Sequence, residues 1–233
     1  MKYFFSLEVG EPLVFLGFTH ILLIVGFIAS IVLLWYLSPK IKNSKHEKWY
    51  RFTLIGLVVL FEWSVFLGRM LNGSIFRMPL CAIAIYTLTY AIAFKKEAFF
   101  KIVYFYAFGS LLSFIFYDIP WGLDRWSGWT FFGAHATIAW MAVYGINVFG
   151  FKPTRKDLYY STVALMIYSA ISMFATLRYG GSDELFLLIP PIPELSALID
   201  IHQLLYTSLF ALFGFLMLFI MYLLTLPNIR NKS

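Results

Sequence analysis

The only cysteine in this chain, Cys81, and one of its four histidines, His135, each lie just inside the start of a long apolar run. A thiol and an imidazole brought together form a nucleophile–base pair: the imidazole takes the thiol proton and the thiolate attacks an acyl carbon. The same residues also have a plainer reading, as a small buried hydrophobe and a hydrogen-bonded core group. Residues 77–81 read Arg-Met-Pro-Leu-Cys, with Pro79 suited to the first turn of a helix and Cys81 inside that turn. Amide N–H groups at a helix start favour an anion, and Arg77, four residues back, adds a cation. Both favour the thiolate, whereas burial opposes it. A single cysteine excludes an intramolecular disulfide and a CxxC metal site.

The elements that must position these two residues are membrane helices. The chain is 61% hydrophobic and 13% charged, where a soluble domain carries about 25% charged residues. Its apolar residues come in blocks of about 20, the length that crosses the hydrocarbon core. This predicts one all-α, polytopic membrane domain over residues 1–233. Its seven transmembrane helices fall near 13–37, 50–68, 77–94, 102–117, 130–150, 158–177 and 201–226. The first run lacks a basic leader and a small-residue cleavage motif, so it reads as an anchor rather than a removable signal.

Charge alternates across the connections. Lys40, Lys42, Lys45, Lys48 and Arg51, then Lys95, Lys96 and Lys101, then Lys152, Arg155 and Lys156, and finally Arg230 and Lys232 all fall on one side. Only Lys2, Arg69, Arg77, Arg125 and Arg178 fall on the other. The positive-inside rule then places the N-terminus outside and the C-terminus in the cytoplasm. Trp49 and Tyr50 on one face, and Trp121, Trp126 and Trp129 on the other, fit headgroup-level belts. The net charge of +6 is spread too thinly for a nucleic-acid stripe.

Ionisable residues inside a span are expensive, so each is a candidate for function. Glu62 and Arg69 share a helical face but stand about 10 Å apart along the axis, so a direct pair within that helix is not expected. Together they are the residues on which a small-solute carrier would be built. Such carriers use broken helices and repeated halves, and the sequence displays neither. A noncatalytic scaffold is the remaining alternative. His20, Cys81, His135 and the group Asp200, His202 and Gln203 fall at one depth, which predicts a shared polar pocket. No His or Cys pair has the spacing of a helical metal site, and no CxxCH is present, so no metal and no cofactor is expected. Residues 178–200 combine Gly180-Gly181 with an apolar, proline-rich stretch, as either a lid over the bundle mouth or an ordinary packed loop.

Several motifs fall in a familiar order. Glu62-Trp63, Gly68-Arg69-Met70 and Met78-Pro79-Leu80-Cys81-Ala82-Ile83 are followed by Ile102-Val103-Tyr104-Phe105 with Gly109. Next come the 129–135 run and Gly150-Phe151-Lys152-Pro153-Thr154. Over residues 48–168 the chain resembles YwaF-like integral membrane proteins, which are grouped with transmembrane protein 164, a membrane acyltransferase working through cysteine and histidine. More distantly it is similar to the androgen-induced membrane hydrolases of fatty-acid esters. The resemblance implies a lipid acyltransferase or acyl-ester hydrolase, multi-pass in the cell membrane of a bacterium, with a membrane lipid or fatty-acyl substrate. It implies Cys81 as nucleophile and His135 as base. Arg69 and Arg77 would then bind a phosphate headgroup and Asp118 would orient His135. The chain departs from the YwaF-like pattern Pro-Leu-His-Leu-Cys, since Pro79 takes the histidine's place. A Pro-Trp-Pro-Trp-Tyr-like run is replaced by Asp200-Ile201-His202-Gln203, from which His202 could supply a second imidazole.

Overall fold

The computed structural model describes residues 4–6, 10–71, 79–117, 119, 121–180, 183, 185–190 and 195–230, with side chains as far as residue 225. The described residues form helices and the turns between them: α1 (Phe18–Lys42), α2 (Glu47–Leu71), α3 (Leu80–Phe94), α4 (Glu97–Val103), α5 (Phe108–Ile115), α6 (Trp126–Tyr144), α7 (Arg155–Tyr179), α8 (Ser196–Ile201) and α9 (Gln203–Arg230). A 3-10 segment, Tyr104–Ala107, joins α4 to α5, and a π-helical turn, Gly145–Phe149, closes α6. Six of these units are long and apolar enough to cross a membrane: α1, α2, α4–α5, α6 with its π turn, α7 and α9. The run expected over 77–94 gives the 15-residue helix α3. At 1.5 Å per residue it is about 22 Å long, short of a 30 Å hydrocarbon core.

The core lies around α6, which packs against α1, α2, α3 and α5. Its most apolar stretch is 67% buried, against 11% in α1 and α7, whose outward faces carry Trp35, Ile171 and Phe174. Small residues set the close approaches. Ala82, Ala84 and Ala91 are buried on α3, as expected where helices pack without a hydrophobic driving force between them. On α6, a Cβ at Gly133 would stand 2.7 Å from the Phe61 ring of α2. That contact fixes the depth of Glu62 relative to His135, each one or two residues away.

The fourth run, read from sequence as continuous, is broken. Ser161 Oγ on α7 donates to the Ile102 carbonyl (2.5 Å), and Tyr106 Oη donates to the Ser161 carbonyl (2.8 Å). A foreign donor on the helical ladder accounts for the local 3-10 winding. Arg51, counted above with the first basic connection, is 7% exposed and lies inside α2, which starts at Glu47.

Candidate functional site

Three helices bring the polar residues of the interior together: α2 carries Glu62 and Arg69, α3 carries Cys81 and Tyr86, and α6 carries His135. Glu62 is buried, and its Oε1 accepts a hydrogen bond from Tyr86 Oη across the α2–α3 seam (2.8 Å). Arg69 Nη1 stands 4.0 Å from the same oxygen, so the two residues of α2 do form an ion pair. The pair forms despite an axial separation of about 10 Å because an extended arginine covers most of that distance. Arg69 lies within electrostatic reach of both Tyr86 and His135, and Cys81 within reach of Tyr86. Metal-ligand geometry is a separate matter: among the described residues no three His, Cys, Asp or Glu side chains gather as a metal site.

His135 is 7% exposed and its Nδ1 lies 2.7 Å from the Phe131 carbonyl, one turn back on α6. A carbonyl only accepts, so Nδ1 carries the proton and donates it. Nε2 of the neutral ring is then the lone-pair nitrogen, and it has no hydrogen-bond partner among the described residues. Backbone orientation of one nitrogen to present the other as a base is the logic of a catalytic histidine. The Phe131 carbonyl thus occupies the atom that Asp118 was expected to orient. Asp118 itself lies outside the described residues, as does Arg77.

Cys81 is half-buried and packs against the main apolar core. It is the second residue of α3, behind Pro79 as N-cap. Ala82 N–H and Ile83 N–H both donate to the Pro79 carbonyl, at 2.9 and 3.3 Å. The N–H groups of Leu80 and Cys81 come before that ladder begins, where a helix start favours negative charge.

The other expected members of the pocket are engaged elsewhere. His20 is fully buried; its Nδ1 accepts from Leu16 N–H (2.9 Å) and its Nε2 donates to the Phe114 carbonyl (2.7 Å). Both nitrogens are used, so His20 joins α1 to α5 as a structural group. His202 is exposed at the α8–α9 junction, where its Nδ1 accepts from Leu204 N–H (3.1 Å) and caps α9. The described part of the 178–200 connection is tied to α9: Tyr206, Thr207 and Gln203 donate to the carbonyls of Phe186, Leu187 and Leu188. Asp183 receives the N–H groups of Leu187, Leu188 and Ile189. A groove of about 450 Å³ lies apart from the cluster, between Glu11, Leu13 and Phe18 on one side and Gly122 to Asp124 on the other.

Sequence reasoning missed Tyr86. Its signal was a phenol at mid-run in α3, between Ile85 and Thr87, which must find a partner in hydrocarbon. No curated protein and no solved structure matches the chain. The sequence profile of the TMEM164 family matches residues 15–225. The chain belongs to the TMEM164 family.

Proposed function

We propose that this protein is a membrane-embedded lipid acyltransferase, or a related acyl-ester hydrolase, in which Cys81 is the nucleophile and His135 the base. The observation that carries the reading is the Phe131 tether on His135 Nδ1, which makes Nε2 the lone-pair nitrogen of a ring on α6, the helix that packs against α3 and its helix-start thiol. Membership of the TMEM164 family supports it.

The chemistry runs in two halves. His135 Nε2 takes the Cys81 thiol proton, and the sulfur attacks the acyl carbonyl of an ester. The carbon–oxygen bond breaks to leave a thioester on Cys81, and the departing alkoxide takes the proton from Nε2. An acceptor hydroxyl, or water, then gives its proton to Nε2 and attacks the thioester, which restores the thiol. The start of α3 and the Arg69 guanidinium would stabilise the oxyanion. Glu62 and Arg69, on which a carrier would be built, belong to this same cluster. In the test, Cys81→Ser and His135→Ala should each remove acyl transfer from a lipid ester without loss of expression. The double variant should be no worse than either single one. Full activity in Cys81→Ser would sink the enzyme reading.

The topology proposed with it has seven spans, α3 included, with the N-terminus outside and the site near the outer leaflet. Reporter fusions after Lys45, Lys96 and Lys156 should report cytoplasm, and one after Asp183 the outside. A cytoplasmic signal at Asp183 would overturn the seven-span arrangement.

A further inference from the structure

Arg69 is a guanidinium without a hydrogen bond to any described residue. Among the described residues its one ion-pair partner is Glu62 at 4.0 Å, and its side chain is 21% exposed. A hydrogen-bonded arginine–carboxylate pair closes to about 2.8 Å, so this one is open by about 1 Å. The oxygen that Arg69 faces is already taken by Tyr86 Oη, at 2.8 Å and from another helix. Tyr86 therefore draws the Glu62 carboxylate toward α3, while Arg69 extends from the far end of α2. The charge of Arg69 is balanced, yet no described residue claims its planar fork of donors. An arginine fork inside a membrane bundle, balanced but not bonded, is suited to an oxyanion ligand such as a phosphate.

We infer that Tyr86 is a positioning residue whose hydrogen bond to Glu62 keeps the Glu62–Arg69 ion pair from closing and so holds Arg69 open for an anionic oxygen of the substrate. The inference rests on the proposed site, since it takes Arg69 to face the ligand. It predicts opposite signs for two neighbouring substitutions. In Tyr86→Phe the carboxylate is released, closes on Arg69 and competes with the ligand. In Glu62→Gln the competitor loses its charge while the amide oxygen still accepts from Tyr86. With both substitutions nothing remains to close on Arg69, and binding returns.

The test measures binding on the full chain in lipid nanodiscs in a Cys81→Ser background, so that no turnover is needed. The probes are dihexanoyl phosphatidic acid and inorganic phosphate, which separate a lipid-borne phosphate from a free one. With a hydrogen bond to a charged group at stake, Tyr86→Phe should weaken binding of the lipid about 10-fold and Glu62→Gln should strengthen it about 3-fold. The double variant should bind at least as tightly as the parent, and Arg69→Lys should lose the response to Tyr86. The same signs with inorganic phosphate would place recognition in the phosphate alone; the signs with the lipid only would place it in the whole headgroup. Loss in all three variants, or no rescue in the double variant, would mean that Tyr86 and Glu62 merely hold helices together and would overturn the inference. Should Tyr86→Phe fail to fold, the sign for Glu62→Gln alone decides: a gain supports the inference and a loss ends it. Acyl transfer is scored separately in the Cys81 parent. Its absence alongside the signed binding pattern would reject the enzyme and keep the ion-pair inference.

Discussion

The seam between α2, α3 and α6 carries a polar cluster at each end, built from the same kinds of residue and finished to different degrees. At the lysine-rich end Glu47 takes the Tyr144 hydroxyl on Oε1 (2.9 Å), with Arg51 Nε 3.5 Å from the same oxygen and Lys95 Nζ 3.5 Å from Oε2. Arg51 Nη1 also donates to the Ala93 carbonyl, and Lys95 lies 5.0 Å over the Phe149 ring. Both Glu47 oxygens there have a cation nearer than the one at Glu62, and Tyr144 is 1% exposed, although Arg51 Nε itself makes no hydrogen bond. At the histidine end Glu62 again takes a tyrosine, but among the described residues its one cation stands off at 4.0 Å and His135 keeps a nitrogen in reserve. A closed cluster holds helices in register. An open one retains capacity for a ligand, and the helices it joins must be held by something else.

The comparison breaks most visibly on removal of the chemistry. His135→Ala should lower acyl transfer by about 1000-fold or more, as loss of a base in a nucleophile–base pair does, with the melting temperature nearly unchanged. Glu47→Ala should do the reverse. It strands a buried guanidinium, so it should cost about 3 kcal/mol of stability while the folded fraction keeps its specific activity. Thermal unfolding alongside rate per folded molecule separates the two. If Glu47→Ala abolished turnover in well-folded protein, the division between a structural and a chemical end would be wrong.

Much of this was legible in the sequence, and the failures have physical causes. Helices and their order follow from apolar blocks and alternating charge, because the bilayer admits few other solutions. Helix ends near Leu71 and Leu80 differ by a turn from the runs because apolarity, unlike capping, does not mark where a backbone stops. Arg51 counted with the basic connection because it follows Lys45 and Lys48 at the edge of the second run; only packing shows that Glu47 and Phe149 flank it. The Tyr86–Glu62 bond and the Ser161 intrusion at Ile102 join different helices, and no spacing along one helix encodes them. Depth alone was too weak a guide for the histidines. It grouped His20 with His135, although the hydrogen bonds of His20 are complete.

That pair sharpens the comparison further. His20→Gln keeps polarity but cannot reach both Leu16 N–H and the Phe114 carbonyl from one rigid ring. Loss of one buried hydrogen bond should lower stability by about 1–2 kcal/mol. Transfer by the folded protein should not change, in contrast with His135→Ala. A loss of kcat at unchanged stability in His20→Gln would return His20 to the chemical group.

The smallest effect tests how finished the lysine-rich end is. Lys95 ends α3 in the left-handed region, with φ of 53°. A side chain there costs about 1 kcal/mol that glycine does not incur. Against this, Lys95 contributes an ion pair to Glu47 Oε2 with its side chain half in solvent, at 52% exposure. Exposed pairs contribute about 0–1 kcal/mol because water screens them. The two terms cancel, so Lys95→Gly should shift stability by less than about 0.5 kcal/mol, with Arg51 and Tyr144 still satisfying Glu47. A loss of 2 kcal/mol or more in thermal unfolding would show that Glu47 needs both cations. The two ends of the seam would then differ in the number of charges each requires rather than in how far each is closed.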